Sequence, residues 1–254
     1  MTQPLPVRTV TMPTPYAVGP VNAYLVEAQP LTLVDAGINT PEAQNALVLA
    51  LTAAGYFVES VERILITHAH PDHYGLVPFL QEVSGATVYF PEREIARVRD
   101  RQMLFEVGRL LMEAGMPLEL LFKMDQQRKK DPAPRVPHEE VVPVTDGDTF
   151  SFTTGDGSFE LQALLMPGHT GGHVVYFEPE TRTMFAGDQL LPDVSPNPCW
   201  NLRSTSRGSA AGRWRSTSGR WRGWRRWRSR SRTRVTAPPS PSRRASSSRR
   251  SSTT

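Results

Sequence analysis

A short cluster of metal-binding side chains constrains this chain more than any other feature. Three imidazoles and a carboxylate fall within the six residues from His68 to His73. The preceding run Ile64–Ile66 is apolar and predicts a short buried strand, and Pro71 prevents a helix from running through the cluster. Zinc prefers imidazole nitrogen and carboxylate oxygen as ligands, and iron and manganese also accept them. The sequence therefore predicts a metal site on a loop at the end of a strand.

The spacing within the cluster indicates two groups of ligands. His68 and His70 alternate, so their side chains point the same way if the strand geometry persists. Asp72 and His73 follow the bend at Pro71 and can face a second point nearby. The alternative, a set of ordinary solvated loop residues, is disfavoured by the density of the cluster. We expect one pair of side chains for each metal ion.

Acidic and basic residues are unevenly distributed along the chain. Residues 201–254 contain 16 Arg and no Lys, Asp or Glu, so the first 200 residues hold 13 of the 29 basic residues and all 25 acidic ones. The body therefore carries a charge near −12 and the tail +16, and the overall value of +4 describes neither part. For this reason a nucleic-acid-binding surface is not inferred from the net charge.

The composition predicts a soluble, cytoplasmic protein. A single cysteine, Cys199, excludes an internal disulfide and fits a reducing compartment. The N-terminus has no basic region followed by an apolar core, and no apolar run approaches the roughly 20 residues of a membrane span. We expect no membrane partner.

Alternating strand and helix patterns predict α/β layers in the first half of the chain. Apolar segments up to Val34 indicate an opening β-meander, and Asp35 follows its last strand. Thr40 as N-cap and Pro41 at the first helical position predict a helix that ends near Gly55. Two successive strand–helix units then favour helices on the outside of a sheet. Their later segments are the strand from Ile64, the helix 75–83 and the strand 87–90.

Residues 91–135 read as a charged helical insert. Its apolar residues recur at three- and four-residue steps, from Ile95 and Val98 to Met112, Leu118 and Leu121. Such a stripe is more often core than a ligand groove, so we expect it to pack inward.

The second half repeats the arrangement of a strand followed by a polar turn. The turn Thr145–Asp148 predicts a hairpin within residues 141–152. A strand over residues 160–165 leads to Gly168 and His169, and a later strand ends at Gly187 and Asp188. We expect these turns to lie near the histidine cluster.

These motifs together resemble the metallo-β-lactamase fold hydrolases. The order is His-x-His-x-Asp-His, then Gly-His-Thr, then Gly-Asp, with Asn-x-Tyr-Leu and Val-Asp-Ala-Gly upstream, over roughly residues 22–191. The resemblance implies a four-layer αβ/βα sandwich with metals at the sheet edges. We assign the domain that contains these motifs to residues 1–200, and residues 201–254 to an irregular tail.

The resemblance also implies roles for individual residues. His68, His70 and His169 would hold a first metal, Asp72 and His73 a second, and Asp188 would bridge the two. Asp72 and Asp188 would be the catalytic carboxylates, since Asp72 can also orient the attacking hydroxide. The expected cofactor is Zn²⁺, one or two ions, with iron or manganese as alternatives. Asp35 is expected to orient ligands from behind or to be a plain turn residue, and His173 to pack or act behind the ligands.

The implied activity is hydrolysis of a thioester, lactone or related ester by a metal-bound hydroxide, as in hydroxyacylglutathione hydrolase (glyoxalase II). An iron-dependent redox enzyme such as a persulfide dioxygenase and a nucleic-acid-processing enzyme are the alternatives. The expected partner is a small-molecule substrate.

The resemblance ends before the last expected ligand. The family pattern has one more histidine, which completes the second metal, but no histidine follows His173. The tail is rich in Arg, Ser and Trp, which fits an RNA-binding arm, a disordered tail or translation in a shifted frame. We favour a frameshift near residues 198–203, because the neighbouring frame permits apolar residues at 214, 221, 224 and 227 and Pro-Gly-His-Gly-Pro at 234–238. Resequencing the gene across codons 197–203 distinguishes these interpretations.

Two expectations follow for the chain as written. Its second metal site lacks one ligand, so we expect it to bind more weakly than the first. We also expect the arginine-rich tail to bind nucleic acid only non-specifically, in a way that salt abolishes.

Overall fold

The fold was analysed in a computed structural model, which describes residues 4–16, 19–99, 109, 111–130, 141–191 and 234–235. Cys199 and the tail beyond residue 200, apart from residues 234–235, lie outside the described residues. The frameshift and the division at residue 200 therefore stay predictions.

The first half of the chain builds a mixed sheet of six strands in sequence order. Strands β1, β2 and β3 pair antiparallel, which confirms the predicted meander, and β3, β4, β5 and β6 pair parallel. The strands are β1 (Val7–Met12), β2 (Val21–Val26), β3 (Thr32–Val34), β4 (Arg63–Leu65), β5 (Thr87–Pro91) and β6 (Val141–Val144).

The helices before residue 100 pack on one face of this first sheet. Thr40 caps the first helix as predicted, since its side chain accepts a hydrogen bond from the Ala43 amide at 3.2 Å. Leu47 and Leu51 of this helix, with Leu80 of a later one, are fully buried in the core on that face. The helices are α1 (Pro41–Ala53), α2 (Pro71–Tyr74), α3 (Val77–Ser84), α4 (Glu92–Arg99) and α5 (Leu118–Lys130), with a 3-10 turn at Val58–Ser60.

The second half builds a second sheet of order β11-β10-β9-β8-β7. Its strands are β7 (Thr149–Thr154), β8 (Gly157–Leu165), β9 (Val174–Glu178), β10 (Thr183–Phe185) and β11 (Arg234–Val235). The hairpin predicted at Thr145–Asp148 is wrong, because β6 pairs with β5 in the first sheet and β7 with β8 in the second. The turn carries the chain from one sheet to the other.

The two sheets pack face to face through apolar side chains. Val34 and Leu65 of the first sheet lie in one cluster with Tyr176 and Phe185 of the second, and all four are fully buried. Val175, Met184 and Ala186 form a smaller cluster on the far face of the second sheet. The predicted α/β fold class is confirmed, with helices, first sheet and second sheet as successive layers. The outer helical layer expected on the far face lies outside the described residues.

The insert is only partly packed as predicted. Ile95 and Val98 of α4 pack against the core on the helical face. Met112 and Leu118, in contrast, expose 46% and 73% of their surface, so the expectation that the whole stripe is core is wrong. Residues 100–108, 110 and 131–135 of the insert lie outside the described residues. Within the described part of the chain, no helix is long and apolar enough to span a bilayer.

Candidate metal centre

The predicted metal-binding residues come from both sheets. His68 and His70 follow β4, while Asp72 and His73 lie on α2. The prediction that Asp72 and His73 lie on a loop is wrong, because Pro71 occupies the start of α2, where its missing N–H costs nothing. His169 lies between β8 and β9, and Asp188 on a 3-10 turn, Gly187–Gln189, directly after β10. The carboxyl ends of β4, β8 and β10 therefore meet at one edge of the sandwich.

Three imidazoles converge within hydrogen-bonding distance. Nδ1 of His70 lies 3.0 Å from Nε2 of His68 and 2.9 Å from Nε2 of His169. His70 Nδ1 has a single position for hydrogen bonding, either as donor or as acceptor, so it can pair with only one of the two Nε2 atoms. A cation among the three nitrogen atoms satisfies all of them. The geometry is therefore that of a metal-binding group.

Asp188 joins this group to a second one. Its Oδ2 lies 3.3 Å from Nε2 of His169 and 4.0 Å from Nε2 of His68, and the ligand atoms of His68, His70, His169 and Asp188 all lie within 4.8 Å of one another. Its Oδ1 lies 3.2 Å from Nε2 of His73, which is itself 3.9 Å from Oδ2 of Asp72. One oxygen of Asp188 therefore faces each group.

The charges around Asp188 keep it ionised. Burial alone opposes ionisation, but the close contact with His73, at 3.2 Å, and the positive potential of His73 and His169 outweigh it, and the pKa of Asp188 falls well below its usual range. Burial also lowers the pKa of His68 well below the usual value, with neighbouring histidines adding to the effect. At neutral pH, His68 is therefore a neutral imidazole and Asp188 an anionic carboxylate. These are the protonation states in which the two side chains bind a metal cation.

Asp35 orients the histidines from behind. It is buried, directly after β3, and its Oδ2 accepts a 2.8 Å hydrogen bond from His73 Nδ1. Its carboxylate also accepts from the Thr67 amide at 2.8 Å and from the Thr67 hydroxyl at 2.9–3.0 Å. This geometry favours the orienting role over the plain turn residue. The backbone of Asp35 has a φ of 61°, a left-handed conformation that aspartate and asparagine tolerate better than most residues.

Thr67 extends this network to His68, a role that the sequence analysis missed. Because the Thr67 hydroxyl gives its proton to Asp35, it must accept from His68 Nδ1, 3.0 Å away. His68 then presents the lone pair of Nε2 to the site. His73 donates from Nδ1 to Asp35, so its Nε2 is the nitrogen that becomes free for a metal when the imidazolium loses a proton. The only sequence signal for Thr67 is its position next to the first histidine.

His173 packs behind the cluster. It is fully buried, and its ring stacks on that of His68 with centroids 4.7 Å apart and an interplanar angle of 19°. Neither of its ring nitrogens has a hydrogen-bond partner among the residues that the structure describes. A Cβ at Gly187 would lie 2.8 Å from His173 Nε2 and 2.7 Å from Thr67 Oγ1, and the φ of Gly187 is +47°. Glycine is therefore required where the Asp188 turn meets the histidines.

We expect metal binding at His73 to release a proton. Burial opposes protonation of His73, but the charges of Asp35 and Asp188, the hydrogen bond to Asp35 and the close contact with Asp188 outweigh it, so the pKa of His73 in the metal-free chain lies well above 6.5. The raised pKa of His73 stabilises the metal-free fold. This contribution is complete below about pH 6.5, the pKa of an unfolded histidine, and is lost as the pH rises through the higher pKa of the folded chain. A metal at Nε2 must displace the proton, so its affinity should rise about tenfold per pH unit below that pKa.

Calorimetric titration of Zn²⁺ in buffers of different ionisation enthalpy measures the released protons. A His73→Asn chain, in which this proton is missing, is the matched control. An affinity at this group that is constant from about pH 6 to about pH 8 would contradict the expectation.

Comparison with known proteins finds similar sequences over most of this chain. The sequence profile of the metallo-beta-lactamase superfamily matches residues 16–211. A probable metallo-hydrolase of Bacillus subtilis (strain 168), YqjP, is 35% identical over 199 residues, which cover 76% of this chain and 59% of that protein. A hydroxyacylglutathione hydrolase of Pseudomonas putida (strain W619) is 31% identical over 133 residues, which cover 52% of this chain and 34% of that protein. The chain thus spans less than two thirds of the length of these relatives.

Solved structures show the same fold. A metallo-beta-lactamase family protein from Thermus thermophilus superposes with a TM-score of 0.65 and 31% identity, covering 76% of this chain and 62% of that one. A beta-lactamase domain protein from Burkholderia ambifaria has a TM-score of 0.57 and 21% identity, covering 78% of this chain and 58% of that one, and supports the fold alone.

Proposed function

The chain belongs to the metallo-beta-lactamase superfamily, and on this basis we propose that it is a metal-dependent hydrolase of thioesters, lactones or related esters. The observation that carries the proposal is the convergence of His68, His70, His169 and Asp188 at the edge where the two sheets meet. The probable metallo-hydrolase and the hydroxyacylglutathione hydrolases among the similar proteins support hydrolysis over other reactions.

We assign the ligands by the two groups that Asp188 joins. His68, His70 and His169 would hold a first ion, and Asp72 and His73 a second, with one oxygen of Asp188 on each. The described part of the second group offers fewer imidazoles, so we expect it to bind more weakly. Zinc fits this nitrogen and oxygen donor set, and iron or manganese are the alternatives.

The side chains around the ions would position the reacting groups. A bound divalent ion supplies a water nucleophile activated at neutral pH and polarises the carbonyl oxygen of the substrate. Asp188 keeps the two groups at a fixed separation, and Asp35 holds His73 and, through Thr67, His68 with their Nε2 atoms forward. Asp72 would orient the attacking water. Burial raises the pKa of its carboxyl, partly offset by His73, so Asp72 takes up a proton more readily than an exposed aspartate.

The test is a substrate panel on metal-exchanged protein. The full chain is stripped of metal, reloaded with Zn²⁺ and assayed on an acyl-glutathione thioester, a lactone and a phosphodiester. Turnover of the thioester or lactone that a chelator abolishes, and that His70→Ala lacks, is expected. If no ester is turned over while the iron-loaded protein consumes oxygen with a persulfide, the redox alternative replaces hydrolysis. Turnover of the phosphodiester alone would favour the nucleic-acid-processing alternative.

A further inference from the structure

The first turn of the insert contacts the loop that carries His169. Glu94, on α4, is 2% exposed, and its Oε1 accepts a 2.6 Å hydrogen bond from the amide of Gly172. Gly172 lies three residues after His169, on the loop between β8 and β9. A buried glutamate on the insert therefore reaches across to the loop of a proposed ligand.

The contact is tight enough to need a glycine. A Cβ at Gly172 would lie 2.7 Å from Cβ of Arg93 and 2.8 Å from both Cγ and Oε1 of Glu94. Cβ of Arg93 is fixed by the backbone of α4 and cannot swing aside, so helix and loop approach closely only because Gly172 has no side chain. The hydrogen bond and the missing side chain are independent features that fix the same contact.

Backbone hydrogen bonds close the base and the tip of this loop. Its base is closed by the Met166 amide, which donates to the His173 carbonyl at 2.8 Å, and its tip by the Gly168 amide, which donates to the Thr170 carbonyl at 3.0 Å. Both bonds lie within the loop itself. Gln189 Nε2 donates to the Met166 carbonyl and ties the loop base to the turn that carries Asp188, whereas Glu94 ties the part after His169 to a helix. A charge-assisted hydrogen bond to a buried carboxylate is stronger than either of these neutral ones.

We propose that Glu94 is a positioning residue, which holds the His169 loop against α4 and so sets His169 in the metal-binding group. The inference deepens the proposed function, because it takes His169 as a metal ligand. It does not require that the substrate be an ester. It also links the insert to the metal centre.

The test measures the metal environment directly. In Glu94→Ala the Gly172 amide loses its acceptor, so the affinity for Co²⁺ should fall by about tenfold or more, and the visible spectrum of the bound Co²⁺ should shift. Glu94→Gln keeps an acceptor of the same length and should restore both within about threefold. Glu92→Ala, an exposed glutamate on the same turn, is the matched control and should change neither.

If Glu94 contributed only to folding stability, its replacement would leave the cobalt spectrum unchanged. A folded Glu94→Ala chain with wild-type Co²⁺ affinity and spectrum would therefore overturn the inference. If Glu94→Ala does not fold, Glu94→Asp decides, because the shorter side chain leaves the carboxylate out of reach of Gly172 with little change in charge. A wild-type spectrum for Glu94→Asp would overturn it equally. Neither readout needs a substrate, so a chain that hydrolyses no ester but shows the spectral shift would refute the hydrolase proposal and support the role of Glu94.

Discussion

Asp188→Ala is expected to lower kcat/KM by about 1,000-fold or more. Its two carboxylate oxygens face different groups, Oδ2 towards His169 and Oδ1 towards His73, so the substitution removes an anionic ligand from both. A metal site contributes several kcal/mol of transition-state stabilisation, and each ~1.4 kcal/mol is tenfold in rate.

The measurement is kcat/KM on the substrate identified by the panel, together with metal content per chain. Asp156→Ala, in the exposed turn between β7 and β8, is the control and should leave both unchanged. An Asp188→Ala chain that keeps its metal content and stays within tenfold of wild-type activity would mean that Asp188 does not join the two groups.

Asp35→Asn should leave the chain folded and yet remove His73 from the metal site. An asparagine can keep its oxygen on the Thr67 amide, which places its NH2 group where Oδ2 now accepts from His73 Nδ1. His73 must then accept at Nδ1 and carry its proton on Nε2, the atom that faces Asp188. We expect affinity at the second group to fall by about 100-fold, and activity by about 100- to 10,000-fold, since a wrong imidazole tautomer has effects of this size in other enzymes.

Asparagine is the informative replacement because it tolerates the left-handed φ of 61° at this position. Alanine would add backbone strain and leave the buried Thr67 and His73 donors without an acceptor, at a cost of about 3–5 kcal/mol of folding stability. Thermal unfolding therefore separates the two variants, and Asp156→Asn again serves as the control. Unchanged metal stoichiometry in Asp35→Asn would show that Asp35 does not set the tautomer of His73.

The sequence was sufficient for the order of the elements and for the convergence of the predicted ligands. His68, His169 and Asp188 each follow an apolar run that predicts a strand, and glycine or further polar ligands follow that run. Parallel strands bring such ends to one edge. The family resemblance is confirmed by the profile match over residues 16–211.

Features that depend on distant contacts were beyond the sequence. The turn at Thr145–Asp148 has the chemistry of a hairpin, but a local signal does not determine which sheet each flanking strand joins. Glu94 resembles any other charged residue of the insert, and only the approach of Gly172 distinguishes it. Leu118 illustrates the reverse case, since helical periodicity predicts a buried face but does not provide the surface that would bury it.

The division of the metal-binding residues between two sheets makes the metal a reporter of folding. The first sheet provides His68 and His70, and the second provides His169 and Asp188, about 100 residues later in the chain. Neither sheet alone offers the full group, so an ion that binds all four residues binds only after the sheets have docked, and it stabilises that docked state by mass action. Partial unfolding that separates the sheets then also releases the ion. Loss of the metal to a chelator is therefore at least as frequent as separation of the sheets, and its rate sets an upper limit on the rate at which the sandwich opens.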